Sequence, residues 1–374
     1  MTPRLRVGVI GCGVIAQVMH LPHLLELDDR FQLSAVCDIA EPTAIACARR
    51  YGDPSVYTDW STMIEHEPLD AVLVLTSGSH APAAVAAAER GLHVFVEKPM
   101  CLHPEEGVGM IAAAESAGVR LMVGTMKRYD PAYERLLELL PEAGELRLIR
   151  VTTLESPCEP YLEGYALTPP SHGPAAILSE LKARDEERLA VALPDADDQT
   201  RFCYRWMLLD NLVHELNALR GALGEPDVVK YAELHPQVVN LSLAFGGVDC
   251  HLSWVDLPGM ARYQQQLAFY GLDARLILTL PSPYLRGMPT ELAIERGRAG
   301  SSHAERVVET VSYVEAFKRE LVEFHAAISE DRAPRTDGAD GLHDVLLCQA
   351  IARTFIDGSP SLAPSSPRPG EVKV

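Results

Sequence analysis

With 374 residues, 47% of them hydrophobic, the chain can bury more than one core, and two domains are expected. Its 52 acidic residues against 33 basic ones leave a formal net charge of −19, which excludes nucleic acid and anionic membranes as partners because both demand a basic footprint. No apolar run approaches the roughly 20 residues of a membrane span, and Met1–Arg6 runs into a strand-like segment without a signal core, so the cytoplasm is the expected location.

From residue 5 to about 125, short β-rich runs alternate with helical stretches, the pattern of crossover units around a parallel sheet. Strands are predicted at Arg6–Ile10, Gln32–Cys37, Ala71–Leu75, His93–Glu97 and Arg120–Gly124, covered by Ala-rich helices at Ala81–Arg90 and Val108–Ala117. The first strand leads into Gly11-Cys12-Gly13-Val14-Ile15-Ala16. Its glycines allow a tight turn and close backbone approach to a pyrophosphate, Ala16 keeps the next helix near the strand, and the helix N-terminus offers amide donors. By itself this loop also suits a glycine-rich turn that binds nothing. Asp38, ending the second strand, stands where a carboxylate grips the adenosine ribose and repels a 2′-phosphate. Ile39-Ala40-Glu41 brings no Arg or Lys beside it, so NAD is expected rather than NADP.

Glu97-Lys98-Pro99 closes the strand at 93–97. A lysine at the carboxyl end of a parallel strand lies in the crevice where open α/β sheets bind ligands, and its cation can orient a substrate oxygen and stabilise alkoxide charge. A solvated lysine before a turn is the plainer reading. The eight cysteines lack any Cys-x-x-Cys spacing and read as small buried hydrophobes, while His20 and His23 flank a Pro-containing helix end with no accompanying carboxylate cluster, so no metal is expected.

Beyond residue 127, alternating apolar and polar stretches at Leu146–Glu155, Val238–Phe245, Cys250–Val255, Gln266–Tyr270 and Ala274–Thr279 predict an antiparallel sheet with one open face. Such a face suits a second copy of the chain, giving a homodimer or homotetramer. Between Pro157 and Thr200 lies a segment rich in Pro and charge, with Pro169-Pro170-Ser171-His172-Gly173-Pro174 as loop punctuation and a helix at Ala176–Arg188; it reads as an insertion over the site. Next, Leu208–Leu219 has apolar residues at helical spacing, directing Leu212, Leu216, Leu219 and Leu223 to a core and setting Asp210 and His214 on a neighbouring face. This pair is suitable acid/base equipment, and equally suits a capping aspartate and a satisfied histidine. Helices return at Val314–Ser329 and Leu342–Ile356, and the tail Ser359–Val374 is expected to be disordered.

The stretches Gly11–Ala16 through His20-Leu21-Pro22, Asp70-Ala71-Val72, Thr76-Ser77-Gly78-Ser79-His80 and Gly91–Pro99 resemble the glucose-fructose oxidoreductase, inositol dehydrogenase and MocA family. The likeness is dense over roughly the first 130 residues and resumes at Asp210–Pro226 and Tyr313–Gly358. It implies an α/β architecture: a Rossmann doubly wound sheet over 1–126, an α+β substrate and oligomerisation domain over 127–358 with a large open antiparallel sheet, and a flexible tail over 359–374. By the resemblance the final helix packs back on the first domain. Cofactor contacts fall on Gly11, Gly13, Val14, Ile15, Asp38, Thr76, His80, Glu97, Lys98 and Pro99, with a cis peptide before Pro99. His80 by itself is as well a loop histidine bonded to backbone. The family's Asp-x-x-x-His motif falls on Asp210 and His214, the histidine as proton acceptor and the aspartate as substrate ligand; Arg205-Trp206-Met207-Leu208-Leu209 stands where the family has a glycine-rich turn. Arg128 and Tyr129, at the crossing between domains, are expected at the substrate, or in interdomain salt bridges. Tyr161, Tyr165, Arg205 and Arg286 are further pocket candidates, and Asn217 lines the site or caps a hydrogen bond.

The expected activity is an NAD-dependent dehydrogenase or ketoreductase acting on a secondary alcohol or ketone of a sugar, sugar derivative or cyclitol. Its alternatives are an NAD-retaining lyase or hydrolase that uses transient oxidation, and a catalytically silent cofactor-binding regulator.

Overall fold

The computed structural model describes residues 4–168, 171, 173–297 and 300–363. Six strands form a parallel sheet: β1 (Leu5–Ile10), β2 (Phe31–Cys37), β3 (Ser55–Tyr57), β4 (Ala71–Val74), β5 (His93–Glu97) and β6 (Leu121–Gly124), in the order β3-β2-β1-β4-β5-β6. Every residue of β4 and β6 is buried, as a sheet covered on both faces requires. Its crossovers are α1 (Leu21–Glu26), α2 (Glu41–Arg50), α3 (Trp60–His66), α4 (Ala81–Glu89) and α5 (Pro104–Ala117), and a π-helical turn, Ala16–His20, precedes α1. The chain leaves β1 toward β2 on one side and reaches β4 on the other. The crevice for a ligand therefore opens between β1 and β4.

Helix α6 (Pro131–Leu139), whose first turn is capped by the Asp130 carboxylate, leads into the second sheet. Its strands are β7 (Leu146–Glu155), β8 (Val228–His235), β9 (Val238–Phe245), β10 (Val248–Asp256), β11 (Gln264–Gly271), β12 (Ala274–Leu280), β13 (Glu291–Gly297), β14 (Ala304–Thr310) and β15 (Ser361–Leu362), ordered β14-β13-β12-β11-β7-β10-β9-β8-β15. All neighbours are antiparallel except β7 and β10. Between β7 and β8 come α7 (Glu159–Leu162), α8 (Ala175–Ala192), α9 (Asp198–Phe202), a ten-residue π-helical segment (Cys203–Leu212) and α10 (Val213–Leu223). After β14 follow α11 (Ala316–Ser329) and α12 (Gly338–Asp357).

Five strands escape the sequence pattern for physical reasons. β3 has three residues, none buried, and β14 is exposed almost throughout, so neither alternates. β13 buries Leu292, Ala293 and Ile294 in succession and does not alternate either. A register shift between Val229 and Tyr231 breaks the alternation of β8. The fifth, β15, corrects the expectation of a disordered tail in part, since Ser361 and Leu362 pair with Val229 and Val228; residues 364–374 lie outside the described ones. The last helix begins at Gly338, earlier than Leu342, because Gly338 and Gly341 let it approach β6: a Cβ there would come within 2.8 Å of Leu121 and 2.6 Å of Val123.

Both closing helices return to the first sheet. Leu321 and Phe324 of α11 share a buried cluster with Val7, Phe31 and Phe95, while α12 packs on α5 and β8. The two sheets thus have a common apolar seam that fixes how they face each other. No helix among the described residues is long and apolar enough to cross a membrane.

Candidate active site between the two sheets

The loop after β1 is built to approach a ligand. Gly11 has φ +99°, and a Cβ on it would lie 2.9 Å from the main chain of Leu75 and Thr76, whereas a Cβ on Gly13 would point into open space. Ala16 is fully buried against the sheet. Asp38 accepts hydrogen bonds from the Cys12 amide through Oδ2 and the Ala40 amide through Oδ1, both at 2.9 Å, so its carboxylate is fixed beside the glycine loop. Gly11, Gly13, Asp38 and Thr76 line one side of a cleft of about 630 Å³, and α8 lines the other. Val14 is exposed, and Ile15 packs with Val18, Met19 and Leu162. His80 is buried with its ring nitrogens 2.7 and 2.8 Å from the carbonyls of Thr76 and Pro99, so it ties the loop after β4 to the turn after β5 and reaches a cofactor only through them. Burial pushes its pKa below the ordinary value, opposed by the two carbonyls.

The Lys98–Pro99 peptide is cis. Lys98 extends from the end of β5 to the other lobe, where Nζ donates to the Asp210 carbonyl at 2.8 Å and to Asp210 Oδ1 at 3.2 Å. Behind it, Glu97 accepts from the Lys98 amide at 3.1 Å and pairs with His20 Nε2 at 2.7 Å. His20 therefore does have carboxylate neighbours, drawn from distant sequence: His20, Glu97 and Glu320 have side-chain atoms within 4.8 Å of one another, all buried. Neither Glu320 oxygen nor His20 Nδ1 has a hydrogen-bond partner. Burial, reinforced by the Glu97 charge, holds the Glu320 carboxyl well above its usual range, which favours a neutral acid.

On the facing lobe, Asp210 lies in the π-helical segment and His214 in the first turn of α10. Leu212, Leu216 and Leu219 are fully buried as expected, which fixes this helix face on the core. The Asp210 carboxylate meets Lys98 and not the imidazole, whose Nδ1 is buried without a partner. His214 as a residue is only part-buried, yet burial of the imidazole and then the charges of Lys127 and Lys98 drive its pKa well below 6.5. The ring is uncharged at neutral pH and free to accept a proton. Arg205 is buried with Nη1 unpartnered and lies over the Trp206 ring, so the segment replacing the family's glycine-rich turn is itself helical and packed.

Arg128 and Tyr129 are placed in the joint between lobes. Arg128 lies within 3.5 Å of Asp340 and 3.4 Å of Asn217, and the Tyr129 hydroxyl pairs with Thr336 Oγ1 at 2.8 Å beneath Arg335. Asn217 likewise donates to Asp340 and Asp344. It is Lys127 that points inward, donating to Gln265, which in turn donates to Glu215 beside Thr153. The sequence signal for this buried polar set is the run Lys127-Arg128-Tyr129 at the crossing between domains, while Gln265, just ahead of the strand expected at Gln266–Tyr270, has no exposure at all. Tyr161 and Tyr165 accept from the amides of Tyr263 and Arg286, at 2.6 and 3.0 Å, and Arg286 pairs with Glu26. These residues brace the walls.

A Rossmann sheet facing an open antiparallel sheet, with a lysine at the crevice and a neutral imidazole opposite, defines an NAD-binding oxidoreductase that acts on CH–OH groups. Residues 5–125 match the model described as an oxidoreductase family with an NAD-binding Rossmann fold. The chain is 25% identical over 356 residues to a myo-inositol 2-dehydrogenase of Thermotoga maritima, covering 94% of this chain and 96% of that protein. It is 26% identical over 371 residues to an NADP(+)-dependent D-xylose 1-dehydrogenase of Haloferax volcanii, covering 94% and 98%. Among solved structures, a levoglucosan dehydrogenase in complex with NADH superposes with a TM-score of 0.75 at 19% identity, covering 97% of this chain and 100% of that one. The resemblance to the glucose-fructose oxidoreductase, inositol dehydrogenase and MocA family is thus matched by that family's model over residues 5–125.

Glu320 yields a test of the buried acid cluster. A carboxyl whose folded pKa is raised above its unfolded one loses stability as pH climbs through the window from the unfolded value upward. Glu320→Gln removes that dependence, so the melting temperature of the variant relative to the parent should rise between pH 5 and pH 8. A difference that stays flat over this range would contradict the neutral-acid assignment.

Proposed function

We propose that the protein transfers a hydride between NAD and a secondary alcohol or ketone of a sugar, sugar derivative or cyclitol. The observation that carries this reading is the Lys98 ammonium bonded across the lobes to Asp210, with the uncharged His214 one turn further on. When bound, the nicotinamide supplies the carbon that accepts or returns hydride. In the oxidative direction the His214 imidazole, uncharged at neutral pH, takes the hydroxyl proton. Asp210, part-exposed and with only one oxygen engaged by Lys98, accepts a hydrogen bond from the reacting or an adjacent hydroxyl. Lys98 turns its remaining proton to the substrate oxygen and stabilises the charge that develops there. Reduction uses the same groups in reverse.

A site with two charges and an imidazole around one carbon favours a ligand dense in hydroxyls, and the relatives are named for inositol, xylose and levoglucosan. Asp38 supports NAD over NADP, although the relatives include an NADP(+) enzyme, because a carboxylate locked by two amides cannot turn away from a 2′-phosphate. We also read the open face of the second sheet, where Thr152, Ser253 and Ile277 are only part-buried, as the contact with a second copy.

Lys98→Ala should lower kcat by roughly 10²–10⁴-fold while NAD affinity stays within a few-fold, measured by steady-state kinetics and NADH fluorescence titration. Parallel loss of both would mark the lysine as structural. Replacing Asp38 with alanine should reduce the NAD-to-NADP ratio of kcat/KM by about tenfold or more, and an unchanged ratio would overturn the ribose assignment. Sedimentation equilibrium at micromolar concentration should give a dimer or tetramer; a monomer there rules out the sheet-face contact.

A further inference from the structure

The insertion helix α8 has the build of an element waiting for an occupant. Of its eighteen residues only Ala192 is buried. Ile177, Leu178 and Leu181 are 40%, 40% and 45% exposed, and all three open into the cleft whose other wall is Gly11, Gly13 and Asp38. Apolar side chains left in contact with a cavity of this size, within the range of ordinary ligand pockets, gain by covering something.

The course of the helix follows the crevice. At its start Ser171 Oγ lies 2.5 Å from Thr43 Oγ1, and Gly173 is so close to Ile39 that a Cβ would come within 2.8 Å of its side chain. Ten residues on, Asp185 lies against Gly78 and 3.5 Å from the Ser79 amide, past the end of β4. Residues 175–185 therefore cover roughly 15 Å, from beside Asp38 to beside Thr76. Along this line Ile177, Leu181, Arg184 and Arg188 fall at i, i+4, i+7 and i+11, one stripe that is apolar at the Asp38 end and cationic toward Gly78 and Ser79.

The two arginines differ. Arg188 is neutralised by Glu106 and Asp185, and Glu106 is itself held by Ser79 and the Leu102 amide, so this arginine fastens the helix to the first lobe. Among the described residues Arg184 pairs only with Glu180, its neighbour one turn back, and both are more than half exposed. A solvent-facing pair of this kind is weak and readily exchanged for a phosphate.

We propose that α8 is the second wall of the dinucleotide site, with Ile177, Leu178 and Leu181 against the adenine ring and Arg184 on the pyrophosphate. This rests on the NAD reading above. It assigns the insertion a binding role that the glycine loop alone does not fill, and it makes departure of the cofactor depend on α8 lifting from the first lobe.

Hydrogen exchange of the full chain, with and without NADH, tests the placement. Amides of 174–192 should exchange at least threefold more slowly with NADH bound. In stopped-flow displacement, Leu181→Asp should release NADH about tenfold faster than the parent. Arg184→Ala should weaken ADP about tenfold and adenosine hardly at all, whereas Leu181→Asp should weaken both. Ile177 and Leu181 are exposed, so their replacement spares the core, and the exchange measurement needs no variant. If the parent binds NADH but α8 shows neither protection nor faster release in the variants, the second-wall assignment is wrong and the NAD reading stands. If the parent binds neither NADH nor NADPH, both fall.

Discussion

The bond from Lys98 to Asp210 is the constraint on which the site depends. One partner hangs from the end of a strand in the parallel sheet and the other from a helix that belongs to the facing sheet, so this contact exists only if the two lobes hold one relative position. That position is set apolar group by apolar group, through Leu321 and Phe324 of α11 and through the close approach of Gly341 to Val123. A part-buried lysine bonded to both a carbonyl and a carboxylate is not consumed by an ideal ion pair. The charge remains available to a ligand, and it is one reason why the nearby imidazole stays neutral.

Behind the lysine, the protein accepts a buried arrangement that is poor for stability and good for orientation. Glu97 is held between the Lys98 amide and His20, and His20 is wedged edge-on between Phe95 and Phe317. Glu320, with no partner for either oxygen, completes the cluster. Unpaired polar atoms of this kind destabilise by about 1–3 kcal/mol each, so their presence beneath Lys98 fits a cluster kept for geometry.

Much of this was legible in the sequence because it follows from short-range rules. Strands buried on both faces show as apolar runs and half-buried ones as alternation, which is why His93–Glu97 and Leu146–Glu155 were located to the residue. The glycine loop, Asp38 and Lys98 sit at strand ends, where topology alone decides what lies in the crevice. What could not be read depends on contacts between distant segments. Lys127, Arg128 and Tyr129 are consecutive, yet one points at the site and two into the joint, and only the position of α12 and Gln265 separates them. The carboxylates around His20 come from positions 97 and 320. The π-helical register of Cys203–Leu212 carries no pattern distinct from an α-helix, although it sets where Asp210 points.

The Lys98 contact has two halves of different chemical identity. Its shorter half goes to the Asp210 carbonyl, a group every amino acid supplies, and only the longer half uses the carboxylate. Exchanging the residue at this position during divergence would therefore leave the main-chain anchor, and with it the registry of the two lobes, in place. The side chain facing the ligand can drift among acid, amide and hydroxyl while the architecture tolerates each step. A fold wired in this way can change what it recognises without first having to survive a loosened frame.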